Sequence, residues 1–256
     1  MNSPLAPTLL RSFAVKSLLI ITVAFCTSFL FLPDNRATFY IIGDSTVKNG
    51  QGTGGGGLWG WGDFMAQHFD SAKIRVENDA LGGTSSRTFV TKGLWDKVLG
   101  KLKNGDFVIM QFGHNDGSPI NDSSRARGTI KGIGDESQEI NNMLTKQIEV
   151  VHSYGWYLRK FIGEAKAKGA IPIVCSPIPR NDWKEGKVNR ANESYGKWAM
   201  EVAKSEDVYF VDLNSMIADK YEELGDEKVK TFFPGDHTHT GIEGAQLNAE
   251  IVAKAL

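Results

Sequence analysis

The chain has 256 residues, and its 29 Lys and Arg against 30 Asp and Glu give a formal net charge of -1 at pH 7. This balance argues against a polyanion-binding surface, so no nucleic-acid partner is expected. The hydrophobic content of 41% and the charged content of 23% are those of a globular protein that can bury a full core. The most economical interpretation is one α/β domain after an N-terminal extension.

The N-terminus carries the pattern of an export signal. Arg11 and Lys16 precede an uncharged apolar run of 16 residues, SLLIITVAFCTSFLFL, at positions 17–32. Basic residues before such a run are typical of a secretory signal, whereas a membrane-spanning helix needs roughly 20 residues. We expect residues 1–36 to be a signal peptide, with an uncleaved membrane anchor as the alternative. Residues 37–256 should then form a secreted or periplasmic domain that contacts a membrane only through such an anchor.

From residue 37 onward, short runs rich in β-branched and aromatic residues alternate with longer amphipathic segments, which predicts repeated βαβ units. The runs are nearly continuous in apolar residues, as expected when helices cover both faces of a mainly parallel sheet. The five predicted strands are 37–42, 74–79, 107–112, 170–175 and 208–212. Helical patterns cover about 60–69, 92–102, 147–168, 190–204, 214–224 and 241–255.

A polar, glycine-rich segment at about 117–146 follows the third predicted strand and shows no clear periodicity. Open α/β sheets bind ligands in the crevice beyond the carboxyl ends of their strands. This long loop is therefore a candidate wall of a substrate cleft. A tolerated surface insertion explains it equally well.

Ser45 lies in the sequence GDST, directly after the first predicted strand and so at the ligand-binding edge of the sheet. These residue types also favour an ordinary solvated turn. A phosphate-binding P-loop is excluded because Gly-Lys-Ser/Thr is missing, and the G-x-S-x-G elbow of α/β-hydrolases is excluded because Val47 replaces its second glycine. A serine nucleophile would need a base to take its proton and an acid to orient that base.

Asp236 and His239 are the candidates for that acid and base. They lie in FFPGDHTHTG before the last helical pattern, and their three-residue spacing lets one loop hold the carboxylate against the imidazole. His68 and His152 fall within helical patterns and are interpreted as packing or surface residues. A zinc site built from His237, His239 and a carboxylate is the rival hypothesis, but no third well-spaced ligand group is evident, so no metal is expected.

Two further stretches could donate hydrogen bonds to the oxyanion that develops in acyl transfer. NDALGGTSSRT, after the second strand, contains Gly82 and Gly83, where the missing side chain lets a backbone N–H approach a ligand closely. QFGHNDG, after the third strand, contains Asn115, whose side-chain amide can donate. Each stretch taken alone is also compatible with a plain turn.

The combination is more specific than its parts. The four blocks resemble, in order, those of the SGNH (GDSL-type) hydrolases, and the resemblance extends over residues 39–256. Within this superfamily the chain is most similar to the rhamnogalacturonan acetylesterase group, on the strength of the segments GDST, NDALGGTSSRT, QFGHNDG, PIPR and DHTHT. The resemblance implies a three-layer α/β/α flavodoxin-like fold with a five-stranded sheet of order 2-1-3-4-5, and a serine esterase mechanism without metal or other cofactor.

The resemblance also implies roles for individual residues. Ser45 is the nucleophile, His239 the general base and Asp236 the residue that orients it. The oxyanion hole comprises the backbone N–H groups of Ser45 and Gly83 and the side chain of Asn115, and Gly82 matches the family motif less well than Gly83. One departure is the glycine-rich stretch GQGTGGGGLWGWG, which is longer than expected near the entrance of the site.

The substrate implied by the resemblance is an O-acetylated plant cell-wall polysaccharide or oligosaccharide, first of all acetylated rhamnogalacturonan, processed by a monomeric enzyme. Acetylxylan, a lipid esterase or lysophospholipase activity, and a catalytically idle glycan-binding protein are the alternatives. Because pectin carries carboxylates, Arg87 and Arg180 are nominated as substrate-binding residues, with loop-bracing salt bridges as the other interpretation. Trp59 is nominated for stacking on a sugar ring, with core packing as the alternative.

Overall fold

Five parallel strands form the central sheet, in the spatial order Ile74–Asn78, Ala37–Gly43, Phe107–Gln111, Ile171–Cys175 and Tyr209–Val211. These strands correspond, along the chain, to the five predicted from the sequence, so the predicted order 2-1-3-4-5 is confirmed. The structure is a computed structural model that describes residues 35–256. The export signal or anchor predicted for residues 1–36 lies outside the described residues except for its last two positions.

The described residues contain nine strands and seven α-helices, together with three 3-10 helices at Gly50–Gly52, Gly55–Gly57 and Trp61–His68. The strands are β1 Ala37–Gly43, β2 Ile74–Asn78, β3 Phe107–Gln111, β4 Ser137–Asn141, β5 Ile148–His152, β6 Ile171–Cys175, β7 Trp183–Lys184, β8 Lys187–Val188 and β9 Tyr209–Val211. The helices are α1 Ser86–Thr91, α2 Leu94–Lys101, α3 Tyr154–Ala167, α4 Tyr195–Ser205, α5 Leu213–Leu224, α6 Asp226–Lys230 and α7 Ile242–Ala255.

The sheet is covered on both faces, and β1 shows why. Phe39 and Ile41 point into one apolar core, which α5, α7 and the longest 3-10 helix complete. Tyr40 and Ile42 point into the other, which α1 to α4 complete. Successive side chains on a strand alternate between faces, so a strand buried on both sides needs the continuous apolar run seen in the sequence.

Residues Ala37–Leu256 form one compact unit. Among the described helices, none is both long enough and apolar enough to cross a bilayer.

The helix predicted for 147–168 is wrong in its first seven residues. Ile148–His152 instead pairs as an antiparallel strand with Ser137–Asn141, inside the segment predicted to be a long loop. The helix begins only at Tyr154, because Ser153 caps it: the Ser153 side chain accepts a hydrogen bond from the backbone N–H of Trp156 at 3.0 Å.

Two other predicted helices differ in type or start. The segment at 60–69 is a 3-10 helix, and the one predicted from residue 190 begins at Tyr195. Helix α1, which no sequence pattern predicted, starts after Ser85, whose side chain accepts from the backbone N–H of Thr88 at 3.1 Å. Helices of six residues are too short to show a periodicity of their own.

Candidate active site

Ser45 occupies a tight turn that begins where β1 ends. The carbonyl of Asp44 accepts a hydrogen bond from the backbone N–H of Val47 at 3.2 Å. The carboxylate of Asp44 accepts from the backbone N–H and from the hydroxyl of Thr46, both at 2.8 Å. The polar cluster after the first strand is thus a self-capped turn that holds Ser45 at the carboxyl edge of the sheet.

Gly43 makes this turn possible through the close approach of its neighbours. A Cβ at Gly43 would lie 2.5 Å from Cγ2 of Val47 and 2.6 Å from the carbonyl oxygen of Gln111 on β3. Neither contact is tolerable for a larger residue, because the carbonyl belongs to the neighbouring strand and cannot move away freely. The glycine at the end of the apolar run is therefore a packing requirement.

Ser45, His239 and Asp236 form a continuous hydrogen-bonded chain. The Oγ atom of Ser45 lies 2.8 Å from Nε2 of His239. The Nδ1 atom of the same imidazole lies 2.7 Å from Oδ2 of Asp236. A carboxylate can only accept, so its neighbour Nδ1 carries a proton and Nε2 is left as the acceptor for the serine hydroxyl. The two loops that carry these residues are 194 positions apart in the chain.

The loop before α7 holds Asp236 in its ionised form. Its Oδ1 atom accepts from the backbone N–H groups of Thr238 at 2.6 Å and His239 at 2.8 Å. Partial burial acts to raise the pKa of Asp236, but the hydrogen bonds from His239 and Thr238 outweigh it and lower the pKa to about 2. The carboxylate is therefore available as an acceptor for His239 at any pH near neutrality.

The second loop forms a turn over Leu81–Thr84. Thr84 donates its backbone N–H to the carbonyl of Leu81 at 3.3 Å, and Gly83 has a φ of +79°, in the left-handed region that glycine tolerates. Gly82 lies against the nucleophile, since a Cβ there would be 3.6 Å from Cβ of Ser45. Among the described residues, none accepts a hydrogen bond from the backbone N–H of Ser45 or Gly83.

The third loop supplies Asn115, which is 7% exposed. Its side-chain nitrogen donates to the carbonyl of Thr84 at 2.7 Å. This hydrogen bond fixes the orientation of the amide and leaves the second N–H of the same nitrogen available to a ligand. Ser45, Asn115 and His239 all line one cleft. The structure thus gathers the predicted nucleophile, base and amide donor from three loops at one edge of the sheet.

That cleft has a volume of about 730 Å³, and arginine dominates its charged lining. Arg190 is neutralised by Asp219 and Glu222, each at 2.5 Å. In the part of the chain that the structure describes, no carboxylate pairs with the other three. The charged residues of the lining are Arg125, Arg127, Arg180, Arg190, Asp182 and Asp236.

Of the two arginines nominated from the sequence, only Arg180 faces the cleft. Its Nη1 atom lies 3.2 Å from Nε2 of His237 and its Nη2 atom donates to the carbonyl of His114 at 3.3 Å. Arg87 is fully buried, and its guanidinium binds both carboxylate oxygens of Glu149, at 2.7 and 2.8 Å. The interpretation of Arg87 as a substrate-binding residue is therefore wrong, and the loop-bracing alternative describes it.

Trp59 anchors a loop instead of lining the cleft. Its backbone N–H donates to the carbonyl of Thr240 at 2.9 Å, and its carbonyl accepts from the Thr240 hydroxyl at 2.9 Å. Its ring packs on Phe64 with a centroid separation of 5.1 Å and does not line the cleft. The glycine-rich stretch thus anchors the loop of the catalytic histidine candidate, His239, and sugar stacking by Trp59 is not supported.

His237, the other histidine of the same loop, is exposed and makes no contact with Ser45. Within residues 35–256, no three His, Cys, Asp or Glu side chains are grouped so as to hold a metal ion.

Residues 41–247 match the GDSL-like Lipase/Acylhydrolase family. The chain belongs to this family. Among its curated relatives is the rhamnogalacturonan acetylesterase of Emericella nidulans, which is 32% identical over 90% of this chain and 89% of its own length. The probable rhamnogalacturonan acetylesterase YesY of Bacillus subtilis is 31% identical over 85% of this chain and 91% of its own. The resemblance inferred from the four sequence blocks is therefore confirmed.

Two solved structures share the fold of this chain. The YxiM protein of Bacillus subtilis has a TM-score of 0.70 at 26% identity, over 88% of this chain and 57% of its own. The acetylxylan esterase Axe2 of Geobacillus stearothermophilus has a TM-score of 0.54 at 17% identity, over 86% and 93% of the two chains. The predicted three-layer α/β/α arrangement is thus that of the family.

Arg125 and Arg127 line the cleft but were not predicted from the sequence. Both lie in the segment 117–146, which was recognised as a candidate cleft wall without naming its cations. The available signal was the pair of arginines in SSRARGT, a polar loop directly after a strand that ends at the site.

Proposed function

We propose that the protein is an exported carbohydrate O-acetylesterase that removes acetyl groups from acetylated rhamnogalacturonan. The observation that carries the proposal is the hydrogen-bonded chain from Ser45 through His239 to Asp236, which opens into a cleft lined by arginines. The names of the relatives from Emericella nidulans and Bacillus subtilis support the same chemistry.

The geometry supports a two-step acyl transfer. Oγ of Ser45 attacks the acetyl carbonyl carbon while Nε2 of His239 takes the hydroxyl proton. The carbonyl oxygen becomes an oxyanion that accepts hydrogen bonds from the backbone N–H groups of Ser45 and Gly83 and from the amide of Asn115. The C–O bond to the sugar then breaks, and the sugar oxygen leaves with the proton from His239.

Water completes the reaction at the same three groups. His239, neutral again, takes a proton from a water molecule whose oxygen attacks the acetyl-serine carbonyl. The bond to Oγ of Ser45 breaks, the proton returns from His239 to the serine oxygen, and acetate is released. Asp236 keeps its negative charge throughout and stabilises the imidazolium in both steps.

The charge of the cleft favours an acidic polysaccharide over a neutral one. Arg125, Arg127 and Arg180 face the cleft without a carboxylate partner among the described residues. Apart from Asp236, the one acidic residue that the structure places in the lining is Asp182. Galacturonate residues of the pectic backbone offer the planar carboxylates that a guanidinium binds through two parallel hydrogen bonds. Acetylxylan and long-chain lipid esters lack this charge.

The substrate class is tested by measuring acetate release from acetylated rhamnogalacturonan and from acetylated xylan. We expect higher kcat/KM on the acidic polymer, and we expect Arg180→Gln to raise KM on it by roughly 5- to 20-fold while leaving KM on xylan unchanged. Arg75→Gln, which changes an exposed cation on β2, is the matched control. A preference for xylan, equal losses on both polymers, or faster hydrolysis of long acyl esters than of acetate esters would contradict the proposal.

Export is proposed on the pattern of residues 1–36 alone. Expression of the full chain with N-terminal sequencing of the secreted product tests it: a mature N-terminus near residue 37 in the extracellular or periplasmic fraction is expected. Retention of the intact chain in the membrane fraction would identify an uncleaved anchor instead.

A further inference from the structure

The direction of the Gly83 N–H depends on the form of the turn that carries it. In the turn Leu81–Thr84, Gly83 is the third residue, and its φ of +79° is the requirement of a type II turn. Types I and II differ by a flip of the central peptide, which here joins Gly82 to Gly83. A flip would turn the Gly83 N–H to the opposite side, and glycine at position 83 permits the type II form in which this N–H can face an oxyanion.

Most of the turn is held by its immediate neighbours. The backbone N–H of Leu81 donates to the carbonyl of Gly43 at 3.1 Å. The hydroxyl of Thr84 donates to the carbonyl of Leu81 at 2.8 Å, and the Thr84 carbonyl accepts from Asn115 at 2.7 Å. These contacts fix the two ends of the turn, and the hydrogen bond from the backbone N–H of Thr84 to the carbonyl of Leu81 holds the Gly83–Thr84 peptide from its N–H side.

The carbonyl of Gly83 is bound by Arg127, which reaches it from the long loop after β3. The Nη1 atom of Arg127 donates to this carbonyl at 2.8 Å, and its Nε atom donates to Oγ of Ser118 at 3.2 Å. The guanidinium is half-buried, and partial burial together with the neighbouring charge of Arg125 lowers its pKa from the ordinary value of an arginine. A partly desolvated cation gains most from a well-aligned acceptor, so the contact with Gly83 is a strong one.

We propose that Arg127 is a positioning residue for the oxyanion hole: by holding the carbonyl of the Gly83–Thr84 peptide it fixes the position of Gly83, whose N–H, on the preceding peptide, is the oxyanion donor. The inference rests on the proposed esterase function, in which Gly83 is an oxyanion donor. It assigns a catalytic consequence to a residue of the long loop that is separate from the charge this residue offers to an acidic substrate.

A neutral substrate separates the positioning of Gly83 from the attraction of Arg127 for an acidic substrate. On 4-nitrophenyl acetate, Arg127→Met should lower kcat roughly 10- to 100-fold with less than about a twofold change in KM, because a misaimed donor weakens only transition-state binding. Arg127→Lys keeps the positive charge but replaces the planar guanidinium, so it should lower kcat by at least about threefold. This variant tests the same role of Arg127 in case Arg127→Met does not fold. A kcat within about twofold of the wild type in these variants would overturn the inference.

Arg159→Gln is the matched control for loosening of the loop. Arg159 donates to the carbonyls of Ile133 and Gly134 in the same long loop but does not line the cleft. We expect kcat of Arg159→Gln to stay within about twofold of the wild type. A loss equal to that of Arg127→Met would show that any loosening of the loop lowers the rate and would overturn the specific role of Arg127.

A double-mutant cycle tests whether Arg127 acts through Gly83. Gly83→Ala strains the turn because an alanine rarely adopts this φ, and it should itself lower kcat. If the two residues act as one unit, adding Arg127→Met to Gly83→Ala should lower kcat by less than about twofold more. Fully multiplicative losses would overturn the inference, whereas a wild type that hydrolyses no acetate ester would refute the proposed function itself.

Discussion

Asp44 and His114 form a buried pair between the turn of the nucleophile and the loop of the amide donor. Nδ1 of His114 lies 3.1 Å from Oδ2 of Asp44, and Nε2 lies 2.9 Å from the carbonyl of Ile178. Burial acts to raise the pKa of Asp44, but the neighbouring His114 and the hydrogen bonds from Thr46 have the larger effect, and the net result is a lowered pKa. Each member directly precedes a residue of the proposed mechanism, Ser45 or Asn115, so the pair couples their two loops.

Asp44→Asn should destabilise the protein by about 3–5 kcal/mol, because it removes one partner of a buried pair and leaves the other without its counter-charge. Denaturant unfolding followed by circular dichroism measures the loss. Asp70→Asn, in an exposed pair with Lys73 at 3.5 Å, is the control and should change the free energy of unfolding by less than about 0.5 kcal/mol. Equal effects of the two substitutions would contradict a structural role of the buried pair.

Ser45→Ala should abolish acetate release while leaving the melting temperature almost unchanged, since the hydroxyl is small and its main partner is His239. Asp236→Asn should lower kcat by about 10³–10⁴-fold with little change in KM, because an amide no longer holds the imidazole in the tautomer that accepts from the serine. Steady-state kinetics on an acetate ester measure both. Wild-type rates in either variant would mean that another nucleophile or another acid acts.

Asn115→Ala should lower kcat by about 10²–10³-fold, the cost of one preorganised oxyanion donor, with KM nearly unchanged. Asn189→Ala is the control: Asn189 lines the same cleft, but its amide donates to Asp182 at 2.8 Å. Its effect on kcat should stay within a few-fold. An effect of Asn115→Ala on KM alone would assign this side chain to substrate binding instead.

The two histidines of the last loop should differ sharply. His239→Ala removes the general base and should lower kcat by at least about 10³-fold. His237→Ala should lower it by less than about tenfold, since His237 contacts Arg180 rather than Ser45. Comparison of the two rates on one acetate ester decides the assignment, and the reverse order would move the base to His237.

The buried carboxyl of Asp116 should make the stability of the protein depend on pH. Burial raises the pKa of this carboxyl from 3.8 to about 7, against the hydrogen bonds that it accepts from Ser86 and Gly113. Because the folded state then binds the proton more tightly than the unfolded state, the free energy of unfolding should fall as pH rises from about 4 to about 7. Asp116→Asn, which cannot titrate, should flatten that part of the curve. A wild-type curve parallel to that of Asp116→Asn would show that the carboxyl has no raised pKa.

Local patterns in the sequence were enough to predict five strands in a mainly parallel sheet, whereas the strand order was implied by the resemblance to the SGNH hydrolases. The run at residues 37–42 must be buried on both faces because it is apolar throughout, and such strands occur in parallel sheets with helices on either side. The parallel direction then places every strand's following loop at one edge. The sequence therefore predicted that Ser45 and Asn115 lie close together. The contact of Asp236 with His239 was predicted from their three-residue spacing.

Tertiary contacts alone decided the role of each cation. Arg87 follows the glycine pair of the site in sequence, yet Glu149, 62 positions away, draws it into the interior. Arg127 reaches the site because the long loop folds back and its guanidinium binds the carbonyl of Gly83, 44 positions earlier. Long flexible side chains take their direction from partners distant in the sequence, and no local pattern records those partners.

The sequence by itself therefore determined the five strands of the sheet, the edge at which the site lies and the residue types gathered there, because periodicity, turn chemistry and the parallel direction of buried strands are local or nearly local properties. Only the tertiary structure decided that residues 148–152 pair as a strand instead of starting a helix, and that Arg127 instead of Arg87 reaches the cleft. Both outcomes depend on long-range pairing, in which hydrogen-bond partners become available only once the chain is folded.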